Sequence, residues 1–273
     1  GSGEFEFIRP IRSIACVLCG ENVDFEIYGV RSAAAFFPHR KFGYEAIKFK
    51  DAADYFALLE RNGVILSEQK RKDKILSEFA KLEKKHGFKI EVDPALLDEV
   101  TAITEYPTAL LGSFERDFLS VPKEVIITSM KENQRYFPVF EGKSLSNHFV
   151  VVSNAITDDD ELVIRGNEKV LRARLSDAMF FWKSDLQAEF SPEKLKQISY
   201  MQALGSVYDK QVRELAVARA LSADYATQIE VEIGKKDFAQ DIENAVMFSK
   251  ADLSSTMVGE FSELQGIMGS YYA

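Results

Sequence analysis

The chain has 273 residues, enough for about two domains each with a buried core. Hydrophobic content of 46% and charged content of 28% fit a soluble globular protein, and no run approaches the roughly 20 apolar residues needed to cross a membrane. A net charge of −9 excludes a protein that coats nucleic acid through its overall charge, so phosphate binding would need a local basic patch.

Glu4–Gly20 reads as two strands broken at Pro10, and Asn22–Val30 alternates as a hairpin partner. Gly1–Ser2–Gly3 is polar and no signal peptide is expected. Cys16 and Cys19 form C-V-L-C, which is half a zinc site, a redox pair, or two small apolar residues of the strand IACVLCG. No second Cys/His pair completes four ligands, and the sparse cysteines suit a reducing cytoplasm. Arg9 and Arg12 flank Pro10–Ile11, facing either a phosphate or a sheet surface. Of the histidines, His39 reads as a structural hydrogen-bonder, and neither it, His86 nor His148 joins a recognisable catalytic triad.

Asp51 caps a helix with Ala52, Tyr55, Phe56 and Leu59 inward, ended by Asn62–Gly63. Val64–Leu66 reads as a short strand. Ser67 opens a long charged helix to about Lys85, with Ile75, Leu76, Phe79 and Leu82 as its apolar stripe. Its run Lys70–Arg71–Lys72 is either a solvated face or an RNA contact. Asp93–Pro94 starts another helix, Tyr106–Pro107 breaks it, Thr108–Leu111 is a strand, and Gly112–Phe118 a turn.

Val121–Leu186 is the most informative stretch. VPKEVIITSMKENQRYFPVF and HFVVVSNA read as two strands joined by a turn at Glu141–Asn147. Lys131, Gln134, Arg135 and Tyr136 are its polar positions, suited to phosphate contact, base stacking or a sheet edge. Asp158–Asp159–Asp160–Glu161 reads as the acidic start of a helix, or as oxygen ligands for magnesium. In that helix Leu171, Leu175, Ala178 and Trp182 share one face. Its cations Arg165, Lys169, Arg172 and Arg174, together with Arg135, are the candidate nucleic-acid-binding residues, as phosphate or sugar contacts. Pairs Glu168–Arg172 and Arg174–Asp177 offer a purely structural use of the same charges.

Ser191–Pro192 starts a helical region. A helix over 204–229 is expected, with Leu215, Ala218, Leu221 and Tyr225 on a stripe, then a break at Gly234–Lys235 and a helix Asp237–Asp252.

The blocks MKENQRYFPVF, HFVVVSN, ELVIRGNEKVLRARLSDAMFFWKSDL and KADLSSTMVGEFSELQGIMGSYYA resemble the β subunit of the bacterial two-subunit glycyl-tRNA synthetases. FIRPIRSI, GVRS…PHRKFG and TEYPTALLGSF fit in the same order; the family's Gly-His-Arg-Phe is replaced by Pro38 through Phe42 with an extra Lys41. The resemblance covers nearly the whole chain and implies a piece cut at both ends, missing the C-terminal anticodon-binding part.

It further implies an α+β fold. Residues 1–190 would form a mixed or antiparallel sheet domain with flanking helices, similar to the B3/B4-type module of phenylalanyl-tRNA synthetase, with a helical insertion at about 51–105. Residues 191–273 would begin an all-helical HD-like domain, with Lys250, Asp252 and Glu260 but no histidine in place of its metal ligands. The implied role is that of a ligase subunit supporting ATP-dependent attachment of glycine to tRNA(Gly). The partners are tRNA(Gly) and the catalytic α subunit in an α2β2 tetramer, in the cytoplasm and without a membrane. No catalytic residue, metal or cofactor is assigned to this stretch; ATP and magnesium are substrates of the holoenzyme, in keeping with the lack of a P-loop motif. A subunit-docking scaffold and a hydrolytic editing module are the alternatives.

Overall fold

A computed structural model describes residues 11–234 and 237–273, an α+β arrangement of helices and small sheets. Arg9, Pro10 and Lys235 lie outside the described residues, as does the first part of the expected N-terminal strand. No helix among the described residues is long and apolar enough to cross a membrane. The chain forms two compact units. The first takes residues through Ser113 together with Arg135–Lys169; the second takes Phe114–Gln134 and Val170–Ala273.

The first unit opens with short strands: β1 (Ile14–Ala15), β2 (Val17–Leu18), β3 (Glu21–Asn22), β4 (Glu26–Ile27), β5 (Val30–Ala33), β6 (Ala35–Phe36) and β7 (Ile47–Lys48). The expected continuous strand through IACVLCG is broken. Cys16 lies between β1 and β2, and Cys19, at φ 51°, turns the β2–β3 hairpin together with Gly20 at φ 84°. The positive φ of this pair is what a tight hairpin requires. Helix α1 (Ala52–Arg61) is capped by Asp51, whose carboxylate accepts the Asp54 N–H at 2.9 Å, and it stops at Asn62. Leu59 is its buried anchor beside Phe36 and Phe49, whereas Phe56 faces outward, contrary to expectation. Val64–Leu66 is not a strand: the Val64 N–H turns back to the Leu59 carbonyl, the Ile65 N–H donates to the Glu105 carbonyl, and the carbonyls of Ile65 and Leu66 accept from the Arg71 guanidinium.

Helix α2 (Glu68–His86) has Ser67 as cap and Gly87 at φ 77° as its left-handed stop. Ile75 and Phe79 are buried, and Leu76 points out because it lies beyond the flank of that stripe. After β8 (Lys89–Ile90), helix α3 (Pro94–Ile103) begins at Asp93 as read. Strands β8 and β9 (Thr108–Ser113) then join β10 (Tyr136–Glu141) and β11 (Ser144–Ser153) in the order β8-β10-β11-β9, with every neighbouring pair antiparallel. Val150 and Val152 of β11 share one face with Val139 and pack on Ile75, Phe79, Leu97 and Val100 of α2 and α3. Phe149 and Val151 point the other way, as the strand period demands.

Two expectations fail in this stretch. Lys123–Gln134 is helical, as α4 (Lys123–Thr128) followed by a π-helix over Ser129–Gln134. Val125, Ile126, Ser129 and Met130 are all buried, a spacing of one, three and one that belongs to a helix; the β-branched run suggested a strand until burial chose the period. The hairpin turn is only Gly142–Lys143, with Glu141 paired to Ser144 and Gly142 at φ 62°. Leu145 through Asn147 belong to the strand.

Helix α5 (Asp160–Gln187) starts where the acids are, with Asp159 accepting the Leu162 N–H at 3.0 Å, so the helix-start reading holds. In the second unit Leu171, Leu175 and Ala178 of α5 are buried. Short strands β12 (Ser199–Met201) and β13 (Gly205–Ser206) precede α6 (Val207–Asp224) and α7 (Ala226–Ile233), so the expected single helix over 204–229 is divided. A Ser206–Asp209 capping box fixes the later start, and Leu221 and Tyr225 are exposed because α6 turns Val207 and Gln211 inward. Gln211 donates to the Val246 carbonyl at 2.6 Å and to Ser249 Oγ at 2.7 Å, tying α6 to α8 (Ala239–Phe248). The expected helix to Asp252 ends at Phe248; Ala251–Ser254 is a separate 3-10 turn before α9 (Thr256–Glu260) and α10 (Ile267–Tyr272).

The Phe149 ring occupies the place a side chain at Gly112 would need: a Cβ there would meet ring carbons at 2.5 and 2.8 Å. Gly112→Ala should therefore destabilise the protein by roughly 1–3 kcal/mol in urea unfolding, the usual cost of overpacking, with Phe149→Leu in the same chain recovering part of it. A second test uses pH. Glu83 accepts from Lys89 Nζ at 2.8 Å and from the Ile90 N–H at 2.9 Å, and the Lys89 bond first, then the backbone bond, hold its carboxyl below the ordinary 4.5. A depressed carboxyl stabilises the fold above its unfolded pKa and loses that contribution as pH falls through the folded value. The stability gap between the native chain and Glu83→Gln should thus be widest near neutral pH and close on acidification below about 4.5.

Candidate nucleic-acid interface

The five candidate cations fall in different units. In the first unit, Arg135 follows the π-helix at φ 60°, a left-handed conformation that side chains rarely adopt. Its Nε donates to Glu99 Oε1 at 2.6 Å. It is not a strand residue, and of the expected polar positions only Tyr136 begins β10, buried rather than presented for stacking. The Tyr136 ring lies on Phe149 at 4.7 Å and 19°, its hydroxyl donates to Asn167 Oδ1 at 2.7 Å, and burial pushes its phenol up to about 12. Arg165 is exposed and reaches Glu161 one turn back at 3.3 Å. Lys169 is exposed and has no ion-pair partner among the described residues.

In the second unit, Arg172 pairs with Glu115. Arg174 lies over the Phe261 ring at 4.5 Å and donates to Asn133 Oδ1 of the π-helix at 3.2 Å. The expected pairs Glu168–Arg172 and Arg174–Asp177 do not form. Glu168 instead accepts the Ser113 N–H at 2.8 Å and its hydroxyl at 3.0 Å, a stronger use of a carboxylate than an exposed ion pair. Each arginine of the set is thus held by a carboxylate, an amide or a ring, which fixes its position and reduces its free charge.

Other charged positions have structural work. Arg71 is drawn inward to the carbonyls of Thr101, Ile65 and Leu66, and Lys72 pairs with Asp98. The solvated-face reading of that run therefore fits neither residue fully: Arg71 is a brace between α2, α3 and the loop before α2. His39 is buried, with Nε2 donating to the Asn154 carbonyl at 2.8 Å and Nδ1 accepting the Lys41 N–H at 3.2 Å, the structural role expected of it. Asp252 accepts the Gly266 and Gly269 N–H groups with one oxygen, while its other oxygen is buried and unpartnered. Among the described residues no three His, Cys, Asp or Glu side chains gather as a metal-binding group.

The whole of residues 1–273 matches the family model described as glycyl-tRNA synthetase beta subunit. The chain belongs to the glycyl-tRNA synthetase β-subunit family. It is 48% identical over 281 residues to the glycine–tRNA ligase beta subunit of Helicobacter pylori (strain Shi470), covering 100% of this chain and 40% of that relative. Against the glycine–tRNA ligase beta subunits of Clostridioides difficile (strain 630) and Dictyoglomus turgidum, identity is 42% and 40% over 276 residues, covering all of this chain and 39% of each. The chain spans about 40% of the length of the relatives it matches. The family resemblance read from the sequence holds.

What the sequence reading missed is Asp185 near the end of α5. Its two oxygens accept the Thr256 and Met257 N–H groups at 2.8 and 2.9 Å, and the Tyr272 hydroxyl donates to it at 2.9 Å. Burial first, and then this carboxylate, raise the Tyr272 phenol. Nothing local marks Asp185, because its partners are more than 70 residues away. Asp185→Ala should cost roughly 2–4 kcal/mol in thermal unfolding, from one lost helix cap and one orphaned phenol, whereas Asp177→Ala on the exposed side should change little.

Proposed function

We propose that this chain is the part of a glycine–tRNA ligase β subunit that engages tRNA(Gly) and helps assemble the enzyme with its α subunit, in an α2β2 tetramer of the cytoplasm. The observation that carries this reading is the family match over every residue of the chain. ATP and magnesium are substrates of the holoenzyme, and aminoacylation belongs to the α subunit; this stretch supplies contacts, not the reacting groups. The sheet domain is B3/B4-like and the region from 191 onward is HD-like in this account.

Arg135, Arg165, Lys169, Arg172 and Arg174 are its proposed phosphate and sugar contacts. The internal partners of the four arginines support such a role, because a guanidinium held by a carboxylate or a ring meets a phosphate already oriented and loses less rotamer freedom on binding. The same pairs also support a second reading, a scaffold in which these charges only brace the fold.

Binding of a tRNA(Gly) transcript to the chain, followed by fluorescence anisotropy over a salt series with and without the α subunit, separates the two. The tRNA reading predicts salt-sensitive binding that Arg172→Gln with Arg174→Gln weakens, with the log–log salt slope falling by about one per lost phosphate contact. A stable complex with the α subunit and no RNA binding by either form would leave the scaffold.

A further inference from the structure

The structure points to a second RNA-contacting surface, which rests on the tRNA reading above but uses none of its residues. We propose that the C-terminal end of α2 and the adjoining β10–β11 hairpin tip bind the RNA sugar–phosphate backbone through Lys84, Lys85 and Lys143, with the His86 ring as a stacking platform.

Lys84, Lys85 and Lys143 are exposed and carry charge that no ion pair among the described residues ties up. The acid nearest in sequence, Glu83, is committed to Lys89 Nζ and the Ile90 N–H, and Glu141 beside the hairpin accepts from Ser146 Oγ at 3.0 Å. Lysines in a last helical turn complement the helix dipole, but that effect reaches only the helix end and gives no reason for a further cation at Lys143. In a chain of net charge −9, three cations at one corner that form no ion pair supply the local field that phosphates need.

Val139 pairs with Ile90 and Phe140 with Lys89 in antiparallel register. In that antiparallel register the chain before Lys89, which is the end of α2, lies at the same end of the sheet as the Gly142–Lys143 turn that follows β10, so the lysines of both elements share one corner of the first unit. His86 is exposed and lies nearly parallel to the buried Phe88, at 5.4 Å and 13°, and Phe88 in turn stacks on His148 at 6.5 Å and 24°. A flat ring backed by a buried aromatic, beside cations, is the chemistry that holds an unstacked base next to its phosphates. An acidic protein segment would use the lysines and leave the ring idle, which is why RNA is the favoured partner.

The test uses the intact chain and a tRNA(Gly) transcript, with polyglutamate as a second probe. Lys84→Gln, Lys85→Gln and Lys143→Gln combined should lower the salt slope by about one per contact and weaken binding at least tenfold at low salt, with the circular dichroism spectrum of the folded chain retained. His86→Ala should weaken binding severalfold without changing the slope, and His86→Phe should restore it, a pattern a merely structural histidine would not give. If the triple variant keeps both affinity and slope while Arg172→Gln with Arg174→Gln loses them, the second surface is overturned and the tRNA reading stands. If polyglutamate displaces the transcript at equal charge concentration and His86→Ala has no effect, the surface fits an acidic polypeptide and the proposal also fails. If the unsubstituted chain binds no RNA, the tRNA reading falls and this surface with it.

Discussion

The packing of Phe149 against Gly112 and Tyr136 is the constraint on which the first unit depends. The ring needs the missing side chain at Gly112 to lie flat across β9, and Tyr136 stacks on it. That stack points the Tyr136 hydroxyl at Asn167, and the neighbouring Glu168 caps the Ser113 end of β9. The first turns of α5 are thereby fixed against the sheet face opposite the α2–α3 core, and Arg165 and Lys169 are left on the exposed side of the same turns. A core contact with no charge in it thus determines where two of the proposed RNA contacts stand.

Within the second unit the same logic runs through Asp185 and Tyr272, which join the last turns of α5 to α9 and α10. Trp182 stacks on Tyr272 at 5.6 Å and 27°, which holds the ring whose hydroxyl reaches Asp185. Arg172 and Arg174 are held by residues of this unit, Glu115, Asn133 and Phe261. Ordered cations of this kind exchange free charge for fixed direction, and unpaired ones such as Lys169, Lys84 and Lys85 keep their charge but pay in side-chain entropy when they bind. An acidic protein that meets RNA has use for both, the first to set orientation and the second to supply the salt-dependent attraction.

The sequence was most legible where a local signal had a single reading. Asp51, Ser67 and Asp93 stand at the helix starts they announce, Gly87 at a stop, and Asp159 opens α5 within the acidic run. The long family blocks were legible too, because many residues in fixed order carry more information than a spacing. Legibility failed where burial decided between two periods. Val125 to Met130 contains both a β-branched run and a helical spacing, and only the packing of Val125, Ile126 and Met130 makes it a helix. It failed again where the partner is distant. Glu168 goes to Ser113 rather than Arg172, and Arg172 to Glu115, because a residue on a neighbouring element offers better geometry than one four positions along the same helix. The α5 cations stand close together in the sequence, yet their pairing, which sets how much charge each presents, exists only in the folded chain.

The most direct measurement is hydrogen–deuterium exchange of the chain with and without a saturating tRNA(Gly) transcript at low salt. The account predicts slowed exchange around α2's last turn and the Gly142–Lys143 turn and over the Arg165–Arg174 part of α5, with the α8 and α10 segments unchanged. Protection confined to α8 and α10, or none at a concentration where anisotropy reports binding, would contradict it.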